Sequence, residues 1–170
     1  MATEGHDLSA YDAKSLSHCQ TFRIGVAVSE WNEDITHALR DGALAVLKEA
    51  GVTEVLVHSV PGSFELPLAS QWLLNHASCD AVIAIGSVIR GETAHFDFVC
   101  QSTAQGTLRA GLDSDKPVIF CVLTDDNMEQ SRARAGGKHG NKGVEAAVAA
   151  LKMVRLRKAL TGTGNWGIGL

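Results

Sequence analysis

The sequence predicts an α/β domain in which a parallel sheet is covered by helices on both faces. Three observations carry this. Four strand-length runs are continuously or nearly continuously apolar: 22–28 (FRIGVAV), 54–60 (EVLVHSV), 81–85 (AVIAI) and 118–123 (VIFCVL). Strands buried on both faces read this way, whereas a strand with one wet face alternates. Each run is followed by a segment with apolar residues near helical spacing, the order expected of a crossover-connected parallel sheet. The 170 residues suffice for one domain with a sizeable core.

Taken in order, residues 1–21 are polar and irregular and read as an N-terminal arm. After the first strand, 34–49 carries Ile35, Ala38, Leu39 and Val46 at helical spacing, and Gly51 stops it. The second strand runs into the turn Pro61-Gly62-Ser63, and 64–76 reads as a helix with Pro67 in its first turn. The third strand, 81–85, meets Gly86, so a tight turn is expected there. A long helix then follows over 93–111, with Phe96, Val99, Cys100, Thr103 and Leu108 on one side. The loop 113–117 leads to the fourth strand. Asp125 or Asp126 can cap a short helix over 127–135. Residues 136–143 (GGKHGNKG) break the helical run, and 144–160 resumes it with Val144, Val148, Leu151 and Val154. Residues 161–170 are glycine-rich and expected to form a flexible tail, leaving 22–160 as a single domain.

Composition narrows the function classes. A formal charge of −4 without a basic run gives no support to a nucleic-acid surface, and no apolar stretch is long enough to span a membrane. No basic segment followed by an apolar one marks the N-terminus, so no secretory signal is visible. The cysteine usage suggests a reducing compartment, and a cytoplasmic protein is expected. Cys19, Cys79, Cys100 and Cys121 form no Cys-x-x-Cys pair. They read as small hydrophobes in a reducing compartment, with no metal site implied.

In parallel α/β sheets ligands bind beyond the carboxyl ends of the strands. The functional residues should therefore lie in Ser29-Glu30-Trp31-Asn32, in Pro61-Gly62-Ser63-Phe64-Glu65, from Gly86 to His95, and in Thr124-Asp125. The third of these holds the clearest chemistry. Gly91 lets backbone approach a ligand, Thr93 adds a hydroxyl, and His95 falls in the first turn of a helix, whose N–H groups can receive an anion. A helix cap with a surface histidine fits the same residues, and chemistry alone leaves both readings open. By themselves Arg134 reads as a solvated charge, Trp31 as a core or interface aromatic, and Glu65 as a first-turn carboxylate. Residues 162–167 match G-x-G-x-x-G, but no strand precedes them and too few residues follow to open a helix. Residues 136–143 likewise lack the Gly-Lys-Ser/Thr of a phosphate loop.

The segments Ser29-Glu30-Trp31-Asn32, Pro61-Gly62-Ser63-Phe64-Glu65-Leu66-Pro67, Gly86 through Asp97 (GSVIRGETAHFD), Pro117-Val118-Ile119-Phe120, and Arg134-Ala135-Gly136 with Gly140-Asn141-Lys142-Gly143 resemble, in this order, the 6,7-dimethyl-8-ribityllumazine synthase family. The resemblance implies a flavodoxin-like three-layer sandwich with a four-stranded parallel sheet of order 2-1-3-4. It implies a transferase of riboflavin biosynthesis that condenses 5-amino-6-(D-ribitylamino)uracil with 3,4-dihydroxy-2-butanone 4-phosphate, without cofactor or metal. Carried over, Trp31, Asn32, Ser63, Phe64, Glu65, Ser87, Val88, Ile89 and Phe120 would hold the pyrimidine and ribityl chain. Gly91, Glu92, Thr93, Arg134 and Lys138 would hold the phosphate, and His95 would move protons. Phe120 would come from a neighbouring subunit. Trp31 stands where the family more often has phenylalanine, and Ser63 where alanine is frequent. The family forms pentamers, some of which stack into decamers or sixty-subunit shells, and association with riboflavin synthase is a further implied partnership. The compact bend at 136–143 resembles that of the shell-forming members. Two other classes stay open at this point: a lumazine- or flavin-binding module without turnover, and an unrelated flavodoxin-like phosphate binder.

Overall fold

The computed structural model describes Tyr11, Leu16 and residues 18–162. The element order is β1 (Arg23–Ser29), α1 (Glu33–Glu49), β2 (Glu54–Val60), a 3-10 turn (Ser63–Glu65), α2 (Leu66–Asn75), β3 (Ala81–Ile89), α3 (His95–Ser114), β4 (Val118–Asp125), α4 (Met128–Arg134), β5 (Ala135–Gly137), β6 (Gly140–Asn141) and α5 (Lys142–Leu160). The four long strands pair in parallel in the order β2-β1-β3-β4. The predicted flavodoxin-like α/β sandwich is therefore the fold.

The two faces of the sheet bury different residues because side chains alternate along each strand. Ile24, Val26 and Val28 of β1, with Ile83 and Ile85 of β3 and Leu123 of β4, pack under α1 and α5 against Ile35, Leu39, Leu47, Leu151 and Val154. Ala27, Val82, Ala84 and Val122 pack under α2 with Leu66, Leu73 and Leu74. At Gly143, the second residue of α5, a Cβ would lie 1.8 Å from the carbonyl oxygen of Leu39 in α1, so only glycine permits this approach. Asn141 caps α5, its Oδ1 accepting from Gly143 N at 2.8 Å, while its Nδ2 donates to Ala38 O at 2.9 Å. The bend before α5 is thereby tied to α1.

The structure departs from the sequence reading in several places, each for a tertiary reason. β3 does not end at 85. Gly86 to Ile89 continue pairing with Val122 to Asp125, so the expected tight turn at Gly86 is a strand segment. Hydropathy locates the buried part of a strand, but the neighbouring ladder decides where it stops. α3 begins at His95 rather than 93: Ala94 is the N-cap, and the Thr93 hydroxyl accepts from His95 N at 3.4 Å. Its buried residues are Phe96, Thr103, Thr107 and Ala110, whereas Leu108 is 65% exposed, not on the covered side. The break at 136–143 contains the antiparallel ribbon β5–β6. Leu16 and Cys19, assigned to the polar arm, are buried in the core. Thr161 and Gly162 continue from α5 as a turn, whereas the rest of the expected tail and of the G-x-G-x-x-G match, and most of the arm, lie outside the described residues.

Candidate active site

Three chain segments converge beyond the carboxyl ends of β1, β2 and β3. The first is the link from β1 to α1. Glu30 N donates to Val60 O at 2.9 Å, fastening this link to the end of β2. Asn32 adopts the left-handed region (φ 58°, ψ 51°), which asparagine tolerates better than most side chains. Its Nδ2 donates to Ser87 O at 2.8 Å, stitching the link to β3. The second segment is the 3-10 turn. Ser63 is buried, and its carbonyl accepts from Thr103 Oγ1 of α3 at 3.1 Å. A Cβ at Gly86 would stand 2.5 Å from Ser63 Oγ, so the glycine inside β3 makes room for this turn. The third segment is the end of β3 with the first turns of α3.

Together they enclose a cleft of about 700 Å³ lined by Trp31, Asn32, Gly62, Ser63, Phe64, Glu65, Ser87, Val88, Ile89, His95 and Val99. Nine of the residues singled out from sequence therefore share one cavity. Trp31 is 72% exposed and Phe64 60% exposed. Neither ring fills the core, and both offer apolar faces to a flat ligand. The Ser87 hydroxyl is buried and makes no hydrogen bond within the described chain, leaving a donor and acceptor at the cleft. Sequence reading did not place Val99 here. It stands one helical turn after His95, and that i, i+4 spacing is the signal that could have found it.

The remaining candidates lie elsewhere. Gly91, Glu92 and Thr93 are exposed on the segment that leads to His95, outside the cleft lining. Phe120 and Arg134 line a second depression of about 560 Å³ on the free edge of β4, with Asp125, Lys142 and Glu145. The two cavities share no lining residue. Residues from three of the four strand-end loops thus line the cleft, while Thr124 and Asp125 line the second depression. Arg134 is held in place: its Nη1 donates to Gln130 O at 2.9 Å and lies 3.7 Å from Asp125 Oδ1. Asp125 is buried and also accepts from Ser131 Oγ at 2.8 Å. Lys138 is exposed between β5 and β6 and lines neither cavity.

Fold and site define a flavodoxin-like domain whose strand-end cleft suits an aromatic, polar-edged small molecule. The family model for 6,7-dimethyl-8-ribityllumazine synthase matches residues 21–158, and the chain belongs to this family. It is 53% identical over 161 residues to the 6,7-dimethyl-8-ribityllumazine synthase of Christiangramia forsetii, covering 93% of this chain and 96% of that protein. It is 52% identical to the Porphyromonas gingivalis protein of the same name, with 93% and 99% of the two chains covered. With the Flavobacterium johnsoniae protein, also of that name, identity is 50% over 93% of this chain and 84% of the relative.

Proposed function

We propose that this protein is a lumazine synthase, joining 5-amino-6-(D-ribitylamino)uracil to 3,4-dihydroxy-2-butanone 4-phosphate to form 6,7-dimethyl-8-ribityllumazine, phosphate and water. The observation that carries this reading is the cleft itself: two exposed aromatic rings, Trp31 and Phe64, stand over polar strand ends, with the His95 imidazole at the mouth. Trp31 stacks on the pyrimidine. Main-chain groups of Ser87, Val88 and Ile89 read its edge, with Asn32 bracing them. Ser63, Phe64 and Glu65 hold the ribityl chain.

The phosphate sits on the segment from Gly91 to Thr93. A Cβ at Gly91 would meet nothing within 4 Å, so the chain's own packing does not demand glycine there. A ligand drawn against the backbone does. Glu92 contributes its N–H, since its carboxylate would repel the anion. The pyrimidine amine attacks the ketone and water leaves as the imine forms. His95 then moves protons as phosphate is eliminated and the chain tautomerises, and the second amine adds to the remaining carbonyl, closing the ring as a second water leaves. Much of the acceleration comes from holding two reactive partners together.

Arg134, aided by Lys138, and Phe120 complete the site from a neighbouring subunit. Their separation from the cleft within one chain supports this. So do Phe98, Leu108 and Leu112, apolar residues along α3 that are exposed among the described residues. The assembly is a homopentamer, and the short 136–143 bend favours a shell of twelve pentamers, with riboflavin synthase as a partner. Cysteines that sit as small buried side chains, Cys79 and Cys121 among them, support a reducing compartment, the cytoplasm. Mixing the purified protein with both substrates and following lumazine absorbance tests the reaction, and light scattering tests the assembly. A folded protein that binds lumazine but makes none is a binding module instead.

A further inference from the structure

One side chain in the R-G-E-T-A-H stretch has no role in the reading above. Arg90 follows the last residue of β3 and lines neither cavity. Its backbone N–H donates to Asp125 O at 3.0 Å, adding one rung to the β3–β4 pairing. Its guanidinium then makes four contacts with three groups. Nη2 donates to Asp97 Oδ1 at 3.1 Å and Nη1 to Asp97 Oδ2 at 3.5 Å, a two-pronged grip on one carboxylate. Nε donates to Asp126 Oδ1 at 3.2 Å. The Cζ atom stands 4.1 Å from the centre of the Phe96 ring, within cation–π range, and Phe96 is itself buried.

These contacts have a particular placement. Asp97 and Phe96 belong to the first turn of α3, and Asp126 follows β4. Arg90 and Asp97 bracket the segment that carries Gly91, Glu92, Thr93 and His95. That segment has little internal fastening: Glu92 and Thr93 are exposed, and the Thr93 hydroxyl accepts from His95 N at a long 3.4 Å. A lone exposed ion pair would hold it weakly. A planar fork seated on a buried ring and shared by two carboxylates is a stiffer tie, because one orientation satisfies all four contacts.

We propose that Arg90 is a positioning residue, a clasp that sets the distance between the end of β3 and the start of α3 and so holds the phosphate-receiving N–H groups and His95 in register. This rests on the reading of Gly91 to Thr93 as the phosphate seat. Only a guanidinium can grip Asp97 with two prongs while reaching Asp126 with a third N–H. A lysine keeps the charge and loses the fork.

The test is steady-state kinetics on the assembled protein with each substrate varied in turn. Arg90→Gln should raise KM for the butanone phosphate roughly five- to tenfold, with KM for the pyrimidine within twofold of the parent. Arg90→Lys should recover less than half of that loss. Asp97→Asn should reproduce more of it than Asp126→Asn, since Asp97 takes two of the three donated bonds. A simple loss of fold would move both Michaelis constants and the melting temperature together. An Arg90→Gln protein with both constants unchanged, or with both raised equally, overturns the clasp. If Arg90→Gln does not assemble, the Asp97→Asn, Asp126→Asn double variant, which keeps Arg90, is judged by the same criteria. If the parent protein forms no lumazine, the synthase reading fails separately, and inorganic phosphate titrated into parent and Arg90→Gln, followed by phosphorus NMR, decides the clasp. At least fivefold weaker binding in the variant supports it; equal binding, or none in the parent, overturns it.

Discussion

The strand-end cleft and the depression beside β4 are built from different kinds of parts. The cleft draws on three loops, each placed by a different strand and cross-tied by hydrogen bonds such as Asn32 to Ser87 and Thr103 to Ser63. The depression lies along one unpaired strand edge and presents Phe120 and Arg134 outward, with Asp125 and Ser131 steadying the arginine. A cleft that closes on its own can be assembled by one chain. An aromatic ring and a held cation on an open sheet edge have no ligand to face until another surface arrives. The difference fits the proposal that one chain carries two half-sites, each completed by a neighbour.

That comparison can be broken by substitutions in either region. The largest expected effect is His95→Ala, which should lower kcat about a hundredfold, the scale of a lost acid–base group. Product should still form, because substrate positioning survives. Turnover below detection in a folded, assembled variant would contradict that division of labour. Arg134→Ala should come next, raising KM for the butanone phosphate by roughly thirtyfold through the loss of a charge-assisted contact, with kcat little changed. An unchanged KM would remove Arg134 from the site.

The comparison is sharpened by mixing. Trp31→Ala damages only the cleft and Arg134→Ala only the edge. Dissociated and reassembled at equal ratio, the two variants should regain about a quarter of parental activity, since that fraction of contacts joins two intact halves in a symmetric ring. No recovery would mean both halves serve the same chain. Asp125→Asn should be milder, raising KM for the phosphate substrate about threefold as Arg134 loses its buried anchor.

The smallest effect concerns the core. Burial pushes the Cys121 thiol up to about 12, and desolvation raises Cys79 and Cys19 as well. A group whose folded pKa is raised stabilises the fold fully below its unfolded value, 9.0 for the thiol. That contribution is lost as pH climbs toward the folded value, because the unfolded chain releases the proton first. Melting temperature should therefore fall between about pH 9 and pH 12, and Cys121→Ala should flatten the decline. An equal decline in the variant would remove Cys121 as a cause.

Much of this was legible in the chain. The four apolar runs announced buried parallel strands, and the residues after β1 and β2 sit where the strand-end rule put them. Other features were hidden because they depend on partners distant in sequence. β3 runs past Gly86 only because β4 lies alongside, and Leu108 faces out because α3 turns other residues toward the sheet. Arg90 gave no sign that its guanidinium serves Asp97 and Asp126 rather than a ligand. Sequence by itself determined the alternation of strands and helices, the residue types at the strand ends and the family, since these rest on local periodicity and on motifs that adjoin the elements carrying them. Tertiary structure alone decided that Trp31, Ser63, Ser87 and His95 share one cavity while Phe120 and Arg134 face another. That outcome is set by sheet order and by which edge is left unpaired, long-range pairings that no local pattern encodes.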